Sequence, residues 1–407
     1  VGTAYGEFGN ININNLTLNG NKKVSRVGFI SKSYVNDYRD INLSGVTISG
    51  TNRLGSLYGE GDTYYLTTID VVDTIVSGTG DYVGGLIGYK HDNSSQKHFY
   101  ITASNVNVTT TGGNYSGIVY GYGAALNVTV KDSSVSGNNL VGGVGGRQDT
   151  DSVSQNRLTN VNVSGKGGQI GGIYGYHDSL YNSSIKDSTI SGGTSQVGGI
   201  SGYGGWSIYN CSVINTIISS PNATSVGGIE GLDWDGNRYN NYVYNTSIEG
   251  KSYVGGLIGN KNGTPASRYY DNFINASIKA NDTGAGGILG YYQNNLEEEN
   301  VRRVRLDGNI IASSTITSKD ATGGLIGAMY KPTDSSLNLF HDNLIAVSIT
   351  TTGTNKSNGI IVGTSDLYIK GLSPSYVYNQ SKINNLLAQN IVSGLNETIT
   401  FVSAANM

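Results

Sequence analysis

A phrase of the form apolar–Gly–Gly–aliphatic–x–Gly recurs about every 28 residues along this chain, and no other feature limits its possible folds so severely. Clear copies begin at Val83, Val141, Ile170, Val197, Val226, Val254 and Ala285, with weaker ones around Gly28, Leu54, Tyr115, Thr322 and Asn358. A unit this short cannot bury a core alone, so successive units must stack on one another. In the copy that runs from Ile170 to Gln196, β-prone runs around Tyr181–Ile185 and Thr189–Ile190 follow the glycine phrase, and Gly and Ser separate one unit from the next. The expected fold is all-β, a right-handed parallel β-helix (solenoid) of about 12 windings with three short strands each. Residues 1–372 carry the repeat. Residues 373–407, with Ser381–Asn390, depart from it and read as a cap or a transition to a following domain. The opening at Val1, without an initiator Met or a signal peptide, reads as a piece of a longer polypeptide.

The fourth position of the phrase is aliphatic at Leu57, Leu86, Ile118, Val144, Ile173, Ile200, Ile229, Leu257, Ile288 and Leu325, with Phe29 in an early copy. The fifth varies from Ile87 and Gly145 to Tyr174, Ser201 and Glu230. Alternation then places the fourth inside and the fifth outside, since an unpaired Glu230 has no place in an apolar core. The first position is apolar too, which requires a bend at the Gly–Gly pair, where glycine tolerates backbone angles that a Cβ forbids. A second periodic set is Asp73, Asn105, Asp132, Asn160, Asp187, Asn215, Asn245, Asn275 and Asp307, at spacings of 27 to 32 residues. Each lies three residues before an apolar side chain, and Asn and Asp accept left-handed turns, so these residues are expected at one corner, stacked rung on rung.

Composition excludes several classes. Sixty Gly with only four Pro fits neither collagen nor a Pro-rich linker. A net charge of −3 with no basic stripe speaks against nucleic acid. Cys211 stands alone, so no intrachain disulfide framework or cysteine-rich zinc site is possible; it reads as a small buried hydrophobe near Val213. No apolar run approaches the ~18 residues of a membrane span. Low cysteine with abundant Asn, Ser, Thr and Tyr suits a protein displayed outside a bacterial cell, and a monomer is expected.

No catalytic constellation stands out. None of His91, His98, His177 and His341 belongs to H-E-x-x-H, and no G-x-S-x-G is present. Glu230, Asp233, Trp234 and Asp235, with Arg238 and Tyr239 beside them, form the densest acidic and aromatic cluster. Two carboxylates beside an indole suit glycoside cleavage; a polar loop anchored by Trp234 suits them equally. The repeat lengthens to 37 residues between Gly287 and Gly324 and to 35 between Gly324 and Gly359. The first insertion holds Glu297, Glu298, Glu299, Arg302, Arg303 and Arg305, either a partner-facing patch or a self-neutralising loop or short helix. The second holds Pro332, His341 and Asp342. The 29 Tyr, with doublets at Tyr64–Tyr65, Tyr269–Tyr270 and Tyr291–Tyr292, offer outward rows for sugar or protein contact, or simply reflect strand preference.

The phrase VGGLIG with Asn-rich strands between copies resembles the GLUG repeat of bacterial surface proteins. Phe8–Gly9–Asn10–Ile11 followed by INNLTLNG, Asp342–Ala346, Tyr376–Asn379 and Thr400–Ala404 resemble the repeat region of the immunoglobulin A protease family of zinc metalloendopeptidases, from streptococci and relatives. The resemblance implies a non-catalytic β-helical scaffold, secreted and wall-attached, ahead of a catalytic domain. It also implies zinc in the parent protein and a host glycoprotein, immunoglobulin A or mucin-like, as partner. The family's zinc ligands and glutamate have no counterpart in this chain. A bacterial adhesin stalk or binding module and a polysaccharide-cleaving β-helix are the other functions compatible with the residues.

Overall fold

The computed structural model describes residues 2–365 apart from 21–24, 64, 92–98, 125, 150–152, 263–266, 294–303, 331–338, 342, 354–356 and 360–361. The segment assigned to a cap, 373–407, lies outside the described residues. Among those described there is no helix, and every strand pairing is parallel. The chain winds as a parallel β-helix. Its glycine phrases form one ten-stranded sheet in which each strand pairs only with the copies before and after it, from Val83–Gly84 to Ser357–Gly359. Single bridges from Val27 to Leu54 and from Leu54 to Val83 carry the same ladder two windings further towards the start. The weaker copies therefore take part like the strong ones. At the Tyr115 copy, however, Ser116 pairs with Val83, so the fourth position is Val119 rather than Ile118.

The expected three strands per winding become five in the middle of the rod. Between Ile170 and Gln196 they are Ile170–Gly171, Tyr174–His177, Leu180–Tyr181, Ser184–Lys186 and Thr189–Gly192. The extra divisions fall at Asn182 and Asp187, both at a left-handed φ of 51°, which turns the chain between strands.

The fifth position of the phrase faces inward, contrary to the alternation argument. Tyr58, Ile87, Tyr120, Tyr174, Ser201, Glu230, Ile258, Leu289 and Ile326 are all fully buried. The cause lies in the backbone. The N–H groups of Ile229 and Glu230 both donate to the Leu257 carbonyl, at 2.9 and 3.1 Å, and the same fork recurs at Ile173–Tyr174 and Ile288–Leu289. Two successive N–H groups pointing the same way break the strand alternation, so the fourth and fifth side chains both enter the core. The bend falls at the third and fourth residues, such as Gly85–Leu86.

The glycines serve proximity rather than unusual angles, since none in the phrase has a positive φ. A Cβ on Gly88 would sit 2.5 Å from the Arg53 carbonyl carbon and 2.6 Å from the Leu54 nitrogen. The second arm of one bend passes the first arm of the winding before it at backbone distance, and only glycine permits that.

Seven members of the periodic Asn/Asp set do stand at one corner: Asp73, Asn105, Asp132, Asn160, Asp187, Asn215 and Asn245, with φ between 47° and 54°. Their amides bond rung to rung, Asn105 to Asp73 at 2.6 Å, Asn160 to Asp132 at 2.6 Å, Asn215 to Asp187 at 3.0 Å and Asn245 to Asn215 at 2.9 Å. The last two members do not follow. Asn245 bulges out of its pairing, so Asn275 pairs with Tyr244, and the left-handed residue of the next winding is Ser313. Asp307 belongs to a different, seven-stranded sheet.

A second asparagine ladder runs inside the wall, and sequence periodicity did not single it out. The backbone N–H groups of Cys211, Asn241, Asn272 and Asn309 donate to the side-chain oxygens of Asn241, Asn272, Asn309 and Asn343, at 3.0 to 3.2 Å. Each amide nitrogen reaches a carbonyl of the preceding winding, Ile208, Arg238, Tyr269 and Leu306 in turn. Buried turn groups that no strand can pair are thereby satisfied. Cys211 is buried at the head of this stack, and burial pushes its thiol up to about 12.

Candidate functional site

Of the charged insertion, Glu297, Glu298, Glu299, Arg302 and Arg303 lie outside the described residues, as do Pro332 and Asp342. Arg305 sits in the strand Arg305–Asp307 and pairs with Asp307 at 3.3 Å. The Tyr doublets split as strand geometry requires: Tyr269 and Tyr292 are buried while Tyr270 and Tyr291 face outward; Tyr64 is not described.

The acidic cluster around Glu230 is interior. Glu230 and Asp233 are fully buried, as are Arg238, Lys261, His177 and Tyr269. Arg238 occupies an inward rung between Ile208 and Tyr269. Its Nη2 lies 2.6 Å from Glu230 and 3.1 Å from Asp233, while its Nε donates to Glu230 at 2.7 Å. The Tyr269 hydroxyl donates to Asp233. His177 and Glu230 stand 3.9 Å apart over Gly204, where a Cβ would collide with both. Burial, then the nearby Arg238 charge, pulls His177 down to about 3. Burial pushes the Glu230 carboxyl up to about 8 against the pull of Arg238. Burial likewise lowers Lys261, with Asp233 opposing. A carboxylate pair for glycoside cleavage must reach its substrate, whereas Glu230 and Asp233 are fully buried and engaged by Arg238.

The cluster does hold part of the surface in place. Lys261 Nζ donates to the Trp234 carbonyl at 2.7 Å, and Arg238 Nη1 donates to the Asp235 carbonyl at 2.8 Å. The turn from Asp233 to Arg238 is therefore tied from beneath. The chain's two tryptophans sit here and on the corresponding turn one winding earlier; Trp206 is 60% and Trp234 48% exposed.

Beside these turns runs a tyrosine ladder on the seven-stranded sheet, Tyr181–Tyr209–Tyr239–Tyr270. Successive centroids are 5.1, 4.8 and 4.7 Å apart, with ring planes within 4° of parallel. The faces are consumed by mutual stacking, so edges and hydroxyls meet the solvent. A second aromatic group lies outside the glycine bends. Tyr82 stacks on Tyr115 at 4.8 Å and Tyr89 on Tyr122 at 4.9 Å, while Tyr82 meets Tyr89 edge-on. Arg53 lies over Tyr82 and Tyr89, and Arg147 over Tyr176. Nearby, Glu60 gathers Arg26, Arg53 at 3.2 Å and His91 at 2.6 Å. Burial raises its carboxyl, but the hydrogen bonds from Arg26 and His91 and the Arg53 charge prevail and hold it below the usual range.

Sequence reading found Glu230, Asp233 and Arg238 as neighbours but missed Lys261, His177 and Tyr269, which lie one or two windings away. The usable signal was the repeat itself, because Lys261, Asp233, Gly204 and His177 occupy one rung position. Among the described residues, no group of three or more His, Cys, Asp or Glu is arranged to hold a metal ion. No family model, no curated protein and no solved structure matches this chain.

Proposed function

We propose that this chain is a non-catalytic β-helical scaffold of a secreted bacterial surface protein, and that its outer aromatic face engages a host glycoprotein. The observation that carries this reading is the division of side chains in the wall. Glu230, Asp233, Arg238 and Lys261 are folded inward and engage one another, while Trp206, Trp234 and the Tyr181–Tyr270 ladder are held outward on rigid, rung-aligned strands. A solenoid presents such residues at fixed spacing, which lowers the ordering cost of binding.

The parent protein in this reading resembles the immunoglobulin A protease family, with the zinc in a downstream domain. An adhesin stalk is the second reading, favoured by the GLUG-like phrase, which non-catalytic surface proteins share. Passing immunoglobulin A and mucin over the immobilised chain tests the binding claim. Retention of either supports it, and passage of both at micromolar concentration removes it. An H-E-x-x-H in the downstream reading frame separates the protease parent from the adhesin.

A further inference from the structure

The turns that bear Trp206 and Trp234 are built as one surface. Gly236 adopts a left-handed φ of 96°, and a Cβ there would lie 2.6 Å from the carbonyl carbon of Trp206 and 2.9 Å from the Ser207 nitrogen. The later turn therefore lies backbone against backbone on the earlier one. Trp206 N–H donates to the Asp178 carbonyl at 2.8 Å, continuing the contact one winding back. From below, Lys261 and Arg238 hold the carbonyls of Trp234 and Asp235. Indoles are usually highly buried, and holding both of the chain's own in water on a braced turn gains nothing for folding.

From this geometry we infer that Trp206 and Trp234 form a binding site for neutral glycans, and the inference rests on the glycoprotein-binding reading above. The chemistry around the indoles selects the ligand class. Their flanking carboxylates are Asp178, which accepts from the Tyr176 hydroxyl at 3.3 Å, and Asp235, which accepts from the Gly236 N–H at 2.6 Å, each with lone pairs left to accept more. Arg238 and Lys261 are fully buried beneath them, and the exposed Arg268 stands one winding on, its backbone N–H on Asn237. The surface thus offers flat apolar faces with hydrogen-bond acceptors beside them. A pyranose meets that pattern, its C–H face on the indole and its hydroxyls donating to carboxylate. A sialylated or sulfated sugar would bring its negative charge against Asp178 and Asp235.

Because the chain has only these two tryptophans, its tryptophan fluorescence reports this site alone. Titration with oligosaccharides of neutral hexoses and N-acetylhexosamines is expected to give a saturable spectral shift. Trp206→Ala and Trp234→Ala, each retaining one reporter, are expected to weaken binding by roughly tenfold with unchanged circular dichroism. No shift with any neutral oligosaccharide overturns the site. So does a shift produced only by choline, whose quaternary ammonium also suits indoles beside carboxylates. Capture of host glycoprotein that survives both enzymatic deglycosylation and Trp206→Ala/Trp234→Ala overturns the site while leaving the scaffold reading intact. If the wild-type chain captures no glycoprotein, the glycoprotein-binding reading falls and the oligosaccharide titration still decides the site.

Discussion

Two carboxylates in this wall gather positive partners, and they do so under opposite conditions. Glu230 is sealed inside, with Arg238 at 2.6 Å and both side chains fully buried. Glu60 is also nearly buried, but Arg26, Arg53 and His91 reach it from outside with side chains 31–39% exposed. Inside, each charge depends on its partner because water cannot replace it. Outside, solvent takes over whatever a lost partner leaves. The asparagine ladders repeat the contrast. The corner set, Asp73 to Asn245, is exposed and its bonds compete with water; the inner stack, Asn241 to Asn343, has no alternative partner. Identical side chains on the two surfaces of one strand system should therefore differ severalfold in what they contribute.

The largest expected effect comes from Arg238→Met, which strips Glu230 of its hydrogen-bond donor and Asp233 of its nearest countercharge, and frees the Asp235 carbonyl. Breaking a buried pair from one side costs about 3–5 kcal/mol, read as a lower urea midpoint at unchanged slope. Replacing Glu230 and Arg238 together by Ile, the residue their rungs already carry at Ile258 and Ile208, should recover most of that loss. A double variant no more stable than Arg238→Met would show that the cluster is not the unit described.

Next in size is Asn309→Ala. It strips the Asn272 N–H of its acceptor and the Tyr269 carbonyl of its donor, both within the wall. About 2–3 kcal/mol is expected, in line with leaving buried polar groups unpaired. The matched exposed change, Asn160→Gly, should stay within about 0.5 kcal/mol, because glycine accepts its left-handed φ of 54° and water replaces its amide. Equal losses at the two sites would abolish the distinction between the ladders.

His177 makes the contrast pH-dependent. Its folded pKa of about 3 lies below the ordinary 6.5, so between those values the unfolded chain binds a proton that the folded chain refuses. Stability from this residue is intact above pH ~6.5 and falls as pH drops, by about 2 kcal/mol at pH 5. The raised Glu230 acts in the opposite sense, losing stability as pH climbs from 4.5 towards 8. The difference between wild type and His177→Phe isolates the histidine. Melting temperatures of the two should converge towards each other, or cross, as pH is lowered from 7 to 5; a constant gap would place His177 in contact with water.

The winding fold was legible because the glycine phrase has a steric cause that repeats at every level: arms that touch at backbone distance admit nothing larger at Gly88 or its equivalents. The exposed corner was legible because left-handed turns select Asn and Asp at constant spacing. Where a bulge shifted the register, the reading failed. Asp307 kept the period while the chain had shifted to another sheet, and Ser313 took the corner instead. The fifth position was misread because alternation assumes alternating N–H directions, and the fork onto Leu257 violates that. Glu230 was correctly judged unable to lie in the core unpaired. Its partner Arg238 was in view, but nothing along one winding shows that Arg238 points inward. The exposure of Trp206 and Trp234 was hidden for the same reason, since it depends on which side of the wall each turn leaves.

The smallest effect belongs to the outer cluster. Arg26→Ala removes one of three partners from Glu60, and Arg53 and His91 remain within 3.2 and 2.6 Å. With the Arg26 side chain 37% exposed, solvent screens much of the interaction, so a loss below about 1 kcal/mol is expected. Because the folded Glu60 carboxyl is held below its usual value, that contribution is present above the unfolded pKa near 4.5 and disappears as pH falls through the folded one. It should also shrink as ionic strength rises, while the Arg238→Met loss stays nearly constant because no salt reaches the interior. Parallel urea titrations of both variants at low and high salt measure this directly. A salt-sensitive Arg238→Met loss, or a salt-insensitive Arg26→Ala loss, would mean that water is distributed across this wall differently from the burial of its side chains.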